Sequence, residues 1–251
     1  MRRLFIDIEA APAKAYIWGL KTRYVPVDHV AEDGYILCFS YWWEGEEEIG
    51  FYSLWDHGYD TMIEAAWDLL EEADHVITFN GKSYDIPMLN TEFLVKRLGP
   101  PAPYFHTDLF LECRQFRTLS RSMKYYLRIL GLENKLEHKG MELWTGCMSG
   151  VKEDQLVMEE YNIQDVNVMP EFYDILYPWL KNVPNEALYM DRDDSGNLHC
   201  RCGSDDLRFK GYKRTKVLQY KQYKCNSCGS YIRERYAEES GKDARRDVTT
   251  W

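Results

Sequence analysis

The sequence predicts an α/β domain followed by a small metal-binding module. Strand-like patterns come first, and helical and strand-like segments then alternate, which is typical of an α/β fold. Four of the seven cysteines lie between Cys200 and Cys228, which indicates a metal site and not a disulfide framework. Charge divides the chain in the same way, because residues 1–198 hold 18 Lys or Arg against 34 Asp or Glu, whereas residues 199–251 hold 13 against 7.

Composition excludes several classes of protein. A chain of 251 residues with 45% hydrophobic and 15% aromatic residues can bury a core, so disorder is excluded as its dominant state. No apolar stretch reaches the roughly 20 residues that a membrane span needs, and the first residues do not resemble a secretion signal. We expect a cytoplasmic protein with no membrane association, a domain at 1–190, a second domain at 198–236 and a flexible tail at 237–251.

The predicted elements of the first domain follow the hydrophobic periodicity. Alternating apolar and polar residues predict strands, whereas apolar residues three and four positions apart predict helices. The predicted strands are 3–9, 35–43, 48–54 and 75–79, and the predicted helices are 60–72, 86–98, 122–130 and 154–180, with a short segment at 106–109 after a proline-rich loop. The first three strands, with the acidic turn EGEEE between the second and the third, predict an antiparallel meander. The polar segment 191–197 is the predicted linker.

Asp7 and Glu9 are two residues apart on the first predicted strand. Because strand side chains alternate between the two faces, both carboxylates lie on the same side and can share a divalent cation. Apolar Phe5, Ile6 and Ile8 surround the pair. A solvated polar face is the alternative interpretation of such a pair taken alone.

Asn80 and Asp85 belong to the motif FNGKSYDIPML, which follows a predicted strand. An Asn-Gly pair after a strand is ordinarily a turn. Asp85 leads directly into the apolar start of a helix, so the alternative to a functional role is helix N-capping.

Tyr161 and Asp165 lie four residues apart on the last predicted helix. This spacing is about one turn, so the hydroxyl and the carboxylate share one helix face. Taken alone, the pair is ordinarily explained by packing and solubility.

Together, in this order, the three motifs resemble those of the ribonuclease H-like 3′-5′ exonucleases. FNGKSYDIPML is most similar to the middle motif of the proofreading exonuclease of family B DNA polymerases and of related stand-alone exonucleases. The resemblance covers most of residues 1–180 and implies a ribonuclease H-like mixed sheet flanked by helices. The histidine branch of this group would have His at position 160, where this chain has Glu160, so the tyrosine type (DEDDy) is indicated.

The resemblance implies a role for each residue of these motifs. Four carboxylates would bind two Mg²⁺ or Mn²⁺ ions, which support phosphodiester hydrolysis by a two-metal-ion mechanism. These implied ligands are Asp7, Glu9, Asp85 and Asp165. Tyr161 would position the attacking water, because a phenol with a pKa near 10 is a poor general base at neutral pH. Asn80 matches the asparagine that lies beside the substrate strand.

Two further segments give weaker indications. Lys124 can meet a phosphate of the substrate, although a solvated lysine is the alternative interpretation. The segment MELWTGC, together with YNIQDV, resembles phage-encoded members of this group. The resemblance therefore also implies a viral protein in the host cytoplasm, with replication or repair proteins as partners.

HCRCGS and CNSCGS form a near repeat in the last fifth of the chain. Two cysteine knuckles about 20 residues apart predict a structural zinc ribbon. Cys202, Cys225 and Cys228 are three predicted ligands. The fourth is either His199, which keeps the two-residue gap of the other knuckle, or Cys200, whose thiolate is the softer ligand. The matching gap favours His199.

A basic and aromatic stretch, LRFKGYKRTKVLQYKQYK, separates the two knuckles. Aromatic rings can stack on bases while cations follow the phosphates of a single strand. The candidate nucleic-acid contacts in this stretch are Lys210, Tyr212, Lys213, Arg214 and Lys216. The alternative is a ribbon whose aromatic residues form its own small core and whose lysines keep it soluble.

The sequence thus predicts a metal-dependent 3′-5′ exonuclease whose partner is nucleic acid, with single-stranded DNA preferred on the resemblance. A net charge of −10 argues against binding by bulk charge, so the ribbon is expected to supply the positive surface. The alternatives are a non-catalytic nucleic-acid-binding accessory protein, an RNA-directed exonuclease and a structure-selective endonuclease. The intact carboxylate set argues against the first, and the tyrosine motif argues against the last.

Overall fold

A computed structural model describes residues 1–132, 139–190, 198–216 and 218–237. The chain divides into two compact units, Arg2–Phe172 and Tyr173–Trp251, the second together with Met1. The predicted linker 191–197 lies outside the described residues, and so does the predicted tail apart from Ala237. The domain boundaries expected from the sequence stay predictions.

A five-stranded mixed sheet forms the centre of the N-terminal unit. Its described strands are β1 (Arg3–Ala11), β2 (Lys14–Ala15), β3 (Val30–Glu32), β4 (Tyr35–Trp43), β5 (Gly50–Ser53), β6 (His75–Thr78) and β7 (Phe105–Asp108). The sheet has the order β5-β4-β1-β6-β7, and β2 pairs with β3 in a separate ladder that the periodicity did not predict. β1, β4 and β5 pair antiparallel, whereas β1, β6 and β7 pair parallel. The predicted α/β fold with an antiparallel meander is confirmed.

Helices flank this sheet. The described helices are α1 (Leu54–His57), α2 (Tyr59–Glu72), α3 (Asp85–Val95), α4 (Leu109–Glu112), α5 (Met123–Leu130), α6 (Met141–Met148), α7 (Lys152–Asn167) and α8 (Met169–Leu176). α2 shows why they form, since Met62, Ile63, Ala66 and Leu70 recur at helical spacing and are fully buried in the main core. α7 packs against β1 and β4. No helix among the described residues is both long enough and apolar enough to cross a bilayer.

The prediction of a single helix over residues 154–180 is wrong. α7 ends at Asn167 and α8 begins at Met169. Pro170 lies in the first turn of α8, where its missing N–H is tolerated, whereas the interior of one continuous helix would lose a backbone hydrogen bond there. The chain therefore starts a new helix at this point.

β1 is the central strand and has two different faces. Leu4, Ile6 and Ile8 are buried in the main core, where each is at most 3% exposed. Asp7 and Glu9 alternate with them and are half-buried on the opposite face. Burial of the apolar residues therefore holds the strand in the sheet, and the alternation of the strand points both carboxylates to the opposite face.

The C-terminal unit contains a three-stranded antiparallel sheet. Its strands are β8 (Leu207–Arg214), β9 (Gln219–Cys225) and β10 (Tyr231–Arg233), in the order β10-β9-β8. Arg201 donates hydrogen bonds to the carbonyl oxygens of Tyr177 and Leu180, both at 2.7 Å, and a third to Ser230 Oγ at 3.1 Å. These bonds hold residues 177–180 against the cysteine-bearing part of the same unit.

Candidate metal centre

Three carboxylates from distant parts of the sequence converge beside β1. One oxygen atom from each of Asp7, Glu9 and Asp165 lies within 4.8 Å of the other two. Asp165 comes from α7 and is only 3% exposed. Carboxylates this close disfavour each other's ionisation unless a cation lies between them, and hard oxygen donors suit Mg²⁺ or Mn²⁺. The donor set therefore fits a divalent metal.

Asp85, the fourth sequence-predicted carboxylate, lies beside this group but not within it. It is the first residue of α3, is 4% exposed, and accepts a hydrogen bond from the backbone N–H of Ile8 at 3.0 Å. That bond places it against the strand between Asp7 and Glu9. Burial raises the pKa of Asp85 to about 6, although the Ile8 N–H opposes the rise. The alternative role as N-cap does not apply, because Tyr84 precedes the helix and no side chain caps it.

Tyr161 lies one turn before Asp165 on α7. Its hydroxyl hydrogen-bonds the Asp165 carboxylate, and its ring meets the Trp144 ring edge to face at 6.2 Å. Burial, followed by the charges of Asp165, Glu9 and Asp7, raises the pKa of Tyr161 far above its ordinary value. The hydroxyl therefore stays protonated at neutral pH and can orient a polar group without removing its proton.

Asn162 is a residue of this site that the sequence reasoning missed. It is fully buried and contacts Asp7 through its side-chain amide, and Ser40 on β4 binds the other end of the same amide at 2.7 Å. The sequence places Asn162 in the same motif, between Tyr161 and Asp165. The helix-spacing argument considered only those two residues, because they share one face.

Asp108 is a second missed residue, and it holds the turn that carries Asn80. Its carboxylate accepts hydrogen bonds from the N–H groups of Asn80 at 2.9 Å and Lys82 at 3.0 Å, and it also caps α4 through Phe110 N at 3.0 Å. Asn80 has a φ of 72°, a left-handed conformation that asparagine tolerates better than most residues. The structure thus fixes the backbone of Asn80 at the end of β6, near the start of α3.

Four thiols form a separate cluster in the C-terminal unit. Sγ of Cys200 lies 3.6 Å from Sγ of Cys228, Sγ of Cys202 lies 3.7 Å from Sγ of Cys225, and all four lie within 4.8 Å of one another. Burial opposes ionisation of Cys225, but the N–H groups of Cys228 and Ser227 and two neighbouring thiols lower its pKa to about 7. Four converging sulfur atoms are a donor set compatible with zinc.

The preference for His199 over Cys200 does not match this geometry. The described cluster contains Cys200 and not His199. A one-residue gap suffices because a turn reverses the chain here, with Cys200 N–H bonded to Ser204 O at 2.7 Å and Gly203 N–H bonded to Cys200 O at 2.9 Å. The buried Cys200 is therefore brought to the same point as Cys202.

Apart from the half-buried Asn80, the candidate nucleic-acid contacts are exposed. Lys124 is exposed on α5 in the N-terminal unit. The others lie on β8 or just after it and are exposed, namely Lys210, Tyr212, Lys213, Arg214 and Lys216. The Arg214 guanidinium lies 5.8 Å from the centre of the Tyr212 ring. Their role in binding stays a prediction.

Solved structures of two other proteins are similar to this chain. A family B DNA polymerase from the archaeon Pyrobaculum calidifontis matches with a TM-score of 0.51 and 16% identity, over 70% of this chain and 24% of the polymerase chain. RNase D from Trypanosoma brucei matches with a TM-score of 0.42 and 17% identity, over 68% of this chain and 56% of the RNase D chain. The chain thus spans about a quarter of the first and about half of the second, and at 16% identity the likeness to the polymerase concerns the fold alone.

Similarity to curated protein sequences is absent, since none of them matches. A family model, in contrast, matches residues 28–177, which is more than half of the chain. Its range includes β4 to β7 and reaches Asp165 and Tyr161 on α7. On this match and the five-stranded mixed sheet, the chain belongs to the RNase_H superfamily.

Proposed function

We propose that the chain is a metal-dependent 3′-5′ exonuclease of the tyrosine type, acting on single-stranded DNA. The observation that carries the proposal is the group of Asp7, Glu9 and Asp165 with oxygen atoms mutually within 4.8 Å, against which the Tyr161 hydroxyl is held. Membership in the RNase_H superfamily supports a nuclease. The 3′-5′ direction and the preference for DNA rest on the similarity of FNGKSYDIPML to the proofreading motif.

The carboxylates would hold two Mg²⁺ or Mn²⁺ ions. When bound, such ions activate the attacking water and neutralise charge on the leaving oxygen. Asp7, Glu9 and Asp165 supply the converging oxygens. Asp85, which lies against β1 through its bond to Ile8 N, would supply a fourth carboxylate.

Tyr161 would orient the attacking water. Its raised pKa keeps the hydroxyl protonated, so it acts through a hydrogen bond and not as a base. Asn80, whose backbone is fixed by Asp108, would lie beside the substrate strand. In this arrangement the carboxylates would hold the metal ions, the tyrosine would orient the water and the asparagine would contact the strand.

Residues 198–236 of the C-terminal unit would form a zinc ribbon that binds nucleic acid. Four thiolates are the ligands of a structural zinc site, which would stabilise a unit with few buried apolar residues. Exposed cations and aromatic rings on β8 suit a single strand, because rings stack on bases while cations follow the phosphates. Proteins of replication or repair are the proposed protein partners.

The proposal is tested by digesting 5′-labelled single-stranded DNA with Mg²⁺ or Mn²⁺, beside the Asp7→Ala variant and an EDTA control. A descending ladder that disappears in both controls is the expected result. Asp165→Ala, in the same metal group, should abolish the ladder as well.

Other outcomes separate the rival functions. Intact DNA that is nevertheless shifted on a native gel would favour a non-catalytic binding protein. Faster digestion of an RNA strand of the same sequence in direct competition would identify RNA as the substrate. Cleavage in the middle of the strand would indicate an endonuclease.

A further inference from the structure

A basic surface lies on the N-terminal unit, between α4 and the end of α5. Between residues 113 and 132 the chain holds five cations and no acidic residue, although residues 1–198 hold nearly twice as many acidic as basic residues. All five side chains are exposed. The basic surface consists of Arg114, Arg117, Arg121, Lys124 and Arg128.

Within the described part of the chain, the arginines of this surface have no carboxylate partner. No described ion pair includes Arg114, Arg117, Arg121 or Arg128. Other cations of the same unit are paired, and Lys14, Lys139 and Lys152 bind Glu32, Asp154 and Asp56. The acidic unit thus pairs cations elsewhere, whereas these four arginines are in none of the described ion pairs.

The spacing on α5 costs the helix stability. Lys124 and Arg128 are four residues apart, so like charges share one helix face, which is destabilising. The Arg128 guanidinium lies 5.0 Å from the centre of the half-buried Tyr125 ring, which keeps a planar cation and an aromatic edge together at the surface. The like-charge spacing does not improve the fold, and both arrangements suit a ligand with phosphates and bases.

The loop and the helix that carry the basic surface are held together. The buried Tyr126 on α5 donates a hydrogen bond to Cys113 O at 3.2 Å, and its hydroxyl lies 3.2 Å from Thr118 Oγ1. Ser122 caps α5 by accepting a bond from Tyr125 N at 3.3 Å. Cations from both segments are therefore presented by one connected scaffold.

Aromatic packing links this scaffold to the turn at Asn80. The Tyr126 ring lies 5.6 Å from the Phe172 ring, and the Phe172 ring lies 6.3 Å from the ring of Phe79, the residue before Asn80. A second route runs from Arg114 over the Phe110 ring at 5.8 Å, which in turn meets Phe79 at 5.7 Å. The basic surface therefore begins beside the strand end that leads into Asn80 and Asp85.

We infer that the basic surface binds the phosphate backbone of the single strand whose end lies in the metal centre. This inference rests on the proposed function, and it assigns to the N-terminal unit a positive track of which the sequence had indicated only Lys124. Guanidinium groups form bidentate hydrogen bonds with phosphate oxygens, and a row of guanidinium groups would follow successive phosphates.

The test compares binding of a labelled 20-mer of dT by the full chain and by the triple variant Arg117→Gln, Arg121→Gln, Arg128→Gln. Fluorescence anisotropy is followed across a salt series, with Asp7→Ala present throughout to prevent cleavage. The triple variant should bind at least about 10-fold more weakly at 0.1 M salt. The slope of log affinity against log salt should also fall in magnitude by about 2, because each single-strand phosphate contact contributes about 0.7.

A matched control removes three cations from the same unit. Lys14→Gln, Lys139→Gln, Lys152→Gln changes the net charge equally but removes ion-paired lysines, so affinity and slope should stay within about twofold of the parent. A triple Arg→Lys variant of the basic surface should recover most of the salt slope, since it keeps the charge.

The inference is overturned if the Gln triple variant binds like the parent, or if the control weakens binding as much. The proposed function fails separately, if the chain without Asp7→Ala cleaves neither DNA nor RNA. The same salt series with a 20-mer of rU distinguishes a backbone track that serves both nucleic acids from one that requires DNA.

Discussion

The side-chain amide of Asn162 binds Asp7 twice. Its Nδ2 donates to Oδ2 of Asp7 at 2.9 Å and to the Asp7 carbonyl oxygen at 3.2 Å, while its Oδ1 accepts from Ser40 Oγ at 2.7 Å. The amide cannot be reversed, because its oxygen would then face two acceptors. Asn162 therefore fixes the plane of a carboxylate in the metal centre, and Ser40 fixes Asn162.

Asn162→Ala should weaken metal binding. Hydrogen-bond partners of metal ligands typically contribute 10- to 100-fold to metal affinity, so the Kd for Mn²⁺ should rise by that factor. Electron paramagnetic resonance of free Mn²⁺ measures this without requiring activity. Ser40→Ala should raise the Kd less, and adding it to Asn162→Ala should have no further effect, since it acts through the asparagine.

Asn167→Ala is the matched control for this prediction. It makes the same substitution at the exposed end of the same helix, where Asn167 contacts only Gln164 among the described hydrogen bonds. Its Kd for Mn²⁺ should equal that of the parent. An unchanged Kd in a folded Asn162→Ala variant would assign the asparagine to packing alone.

Tyr161→Phe should lower the rate of hydrolysis without lowering metal affinity. The phenol hydroxyl bonds to Asp165, and its loss would leave the attacking water less well placed, at a cost of about 100-fold in kcat. Mn²⁺ affinity should stay within about twofold of the parent, because the three converging carboxylates are intact. Single-turnover kinetics on a labelled strand measures the rate. If the variant has the same kcat as the parent, another residue must orient the water.

Local patterns account for much of the site. The alternation along β1 was enough to place Asp7 and Glu9 together, and helical spacing was enough to place Tyr161 beside Asp165. These relations depend on one element at a time. The resemblance to known exonucleases supplied what the patterns did not, namely that the two elements meet.

The sequence did not predict contacts between elements that are distant along the chain. Asn162 and Asp7 are 155 positions apart, and their bond depends on how α7 is rotated against β1, which no local period encodes. Asp108 was passed over for the same reason, since its partners belong to the preceding strand end. In the thiol cluster, the two-residue gap shared by both knuckles favoured His199 as the fourth ligand. In the structure, the turn at Gly203 brings Cys200 to the other three thiols instead.

Asp85→Asn should stabilise the metal-free protein at neutral pH. The pKa of Asp85 is about 6 in the folded chain, above its ordinary value of 3.8, so the folded state holds this proton more tightly than the unfolded state. Stability from this group is then full below about pH 4 and falls as pH rises through 6, by about 3 kcal/mol. Asparagine removes the charge and keeps an oxygen that can accept from Ile8 N–H.

Urea denaturation in the absence of divalent metal, at pH 4.5 and pH 7.5, measures this effect. The variant should exceed the parent by about 2 to 3 kcal/mol at pH 7.5 and by much less at pH 4.5. Added Mg²⁺ should stabilise the parent more than the variant, because the variant loses a ligand. Equal stability of the two proteins at pH 7.5 would contradict the raised pKa.

Cys200→Ser should release zinc, whereas His199→Ala should retain it. Cys200 lies within the four-thiol group and is fully buried. A serine would replace its soft thiolate with a poor zinc ligand, and burial keeps water from taking the ligand's place. His199 lies outside that group. Zinc per chain, measured by atomic emission after dialysis against a mild chelator, should fall from about one to well below one in the Cys200 variant only. Loss of zinc in His199→Ala with retention in Cys200→Ser would restore the histidine as the fourth ligand, and it would require a different turn between residues 199 and 204.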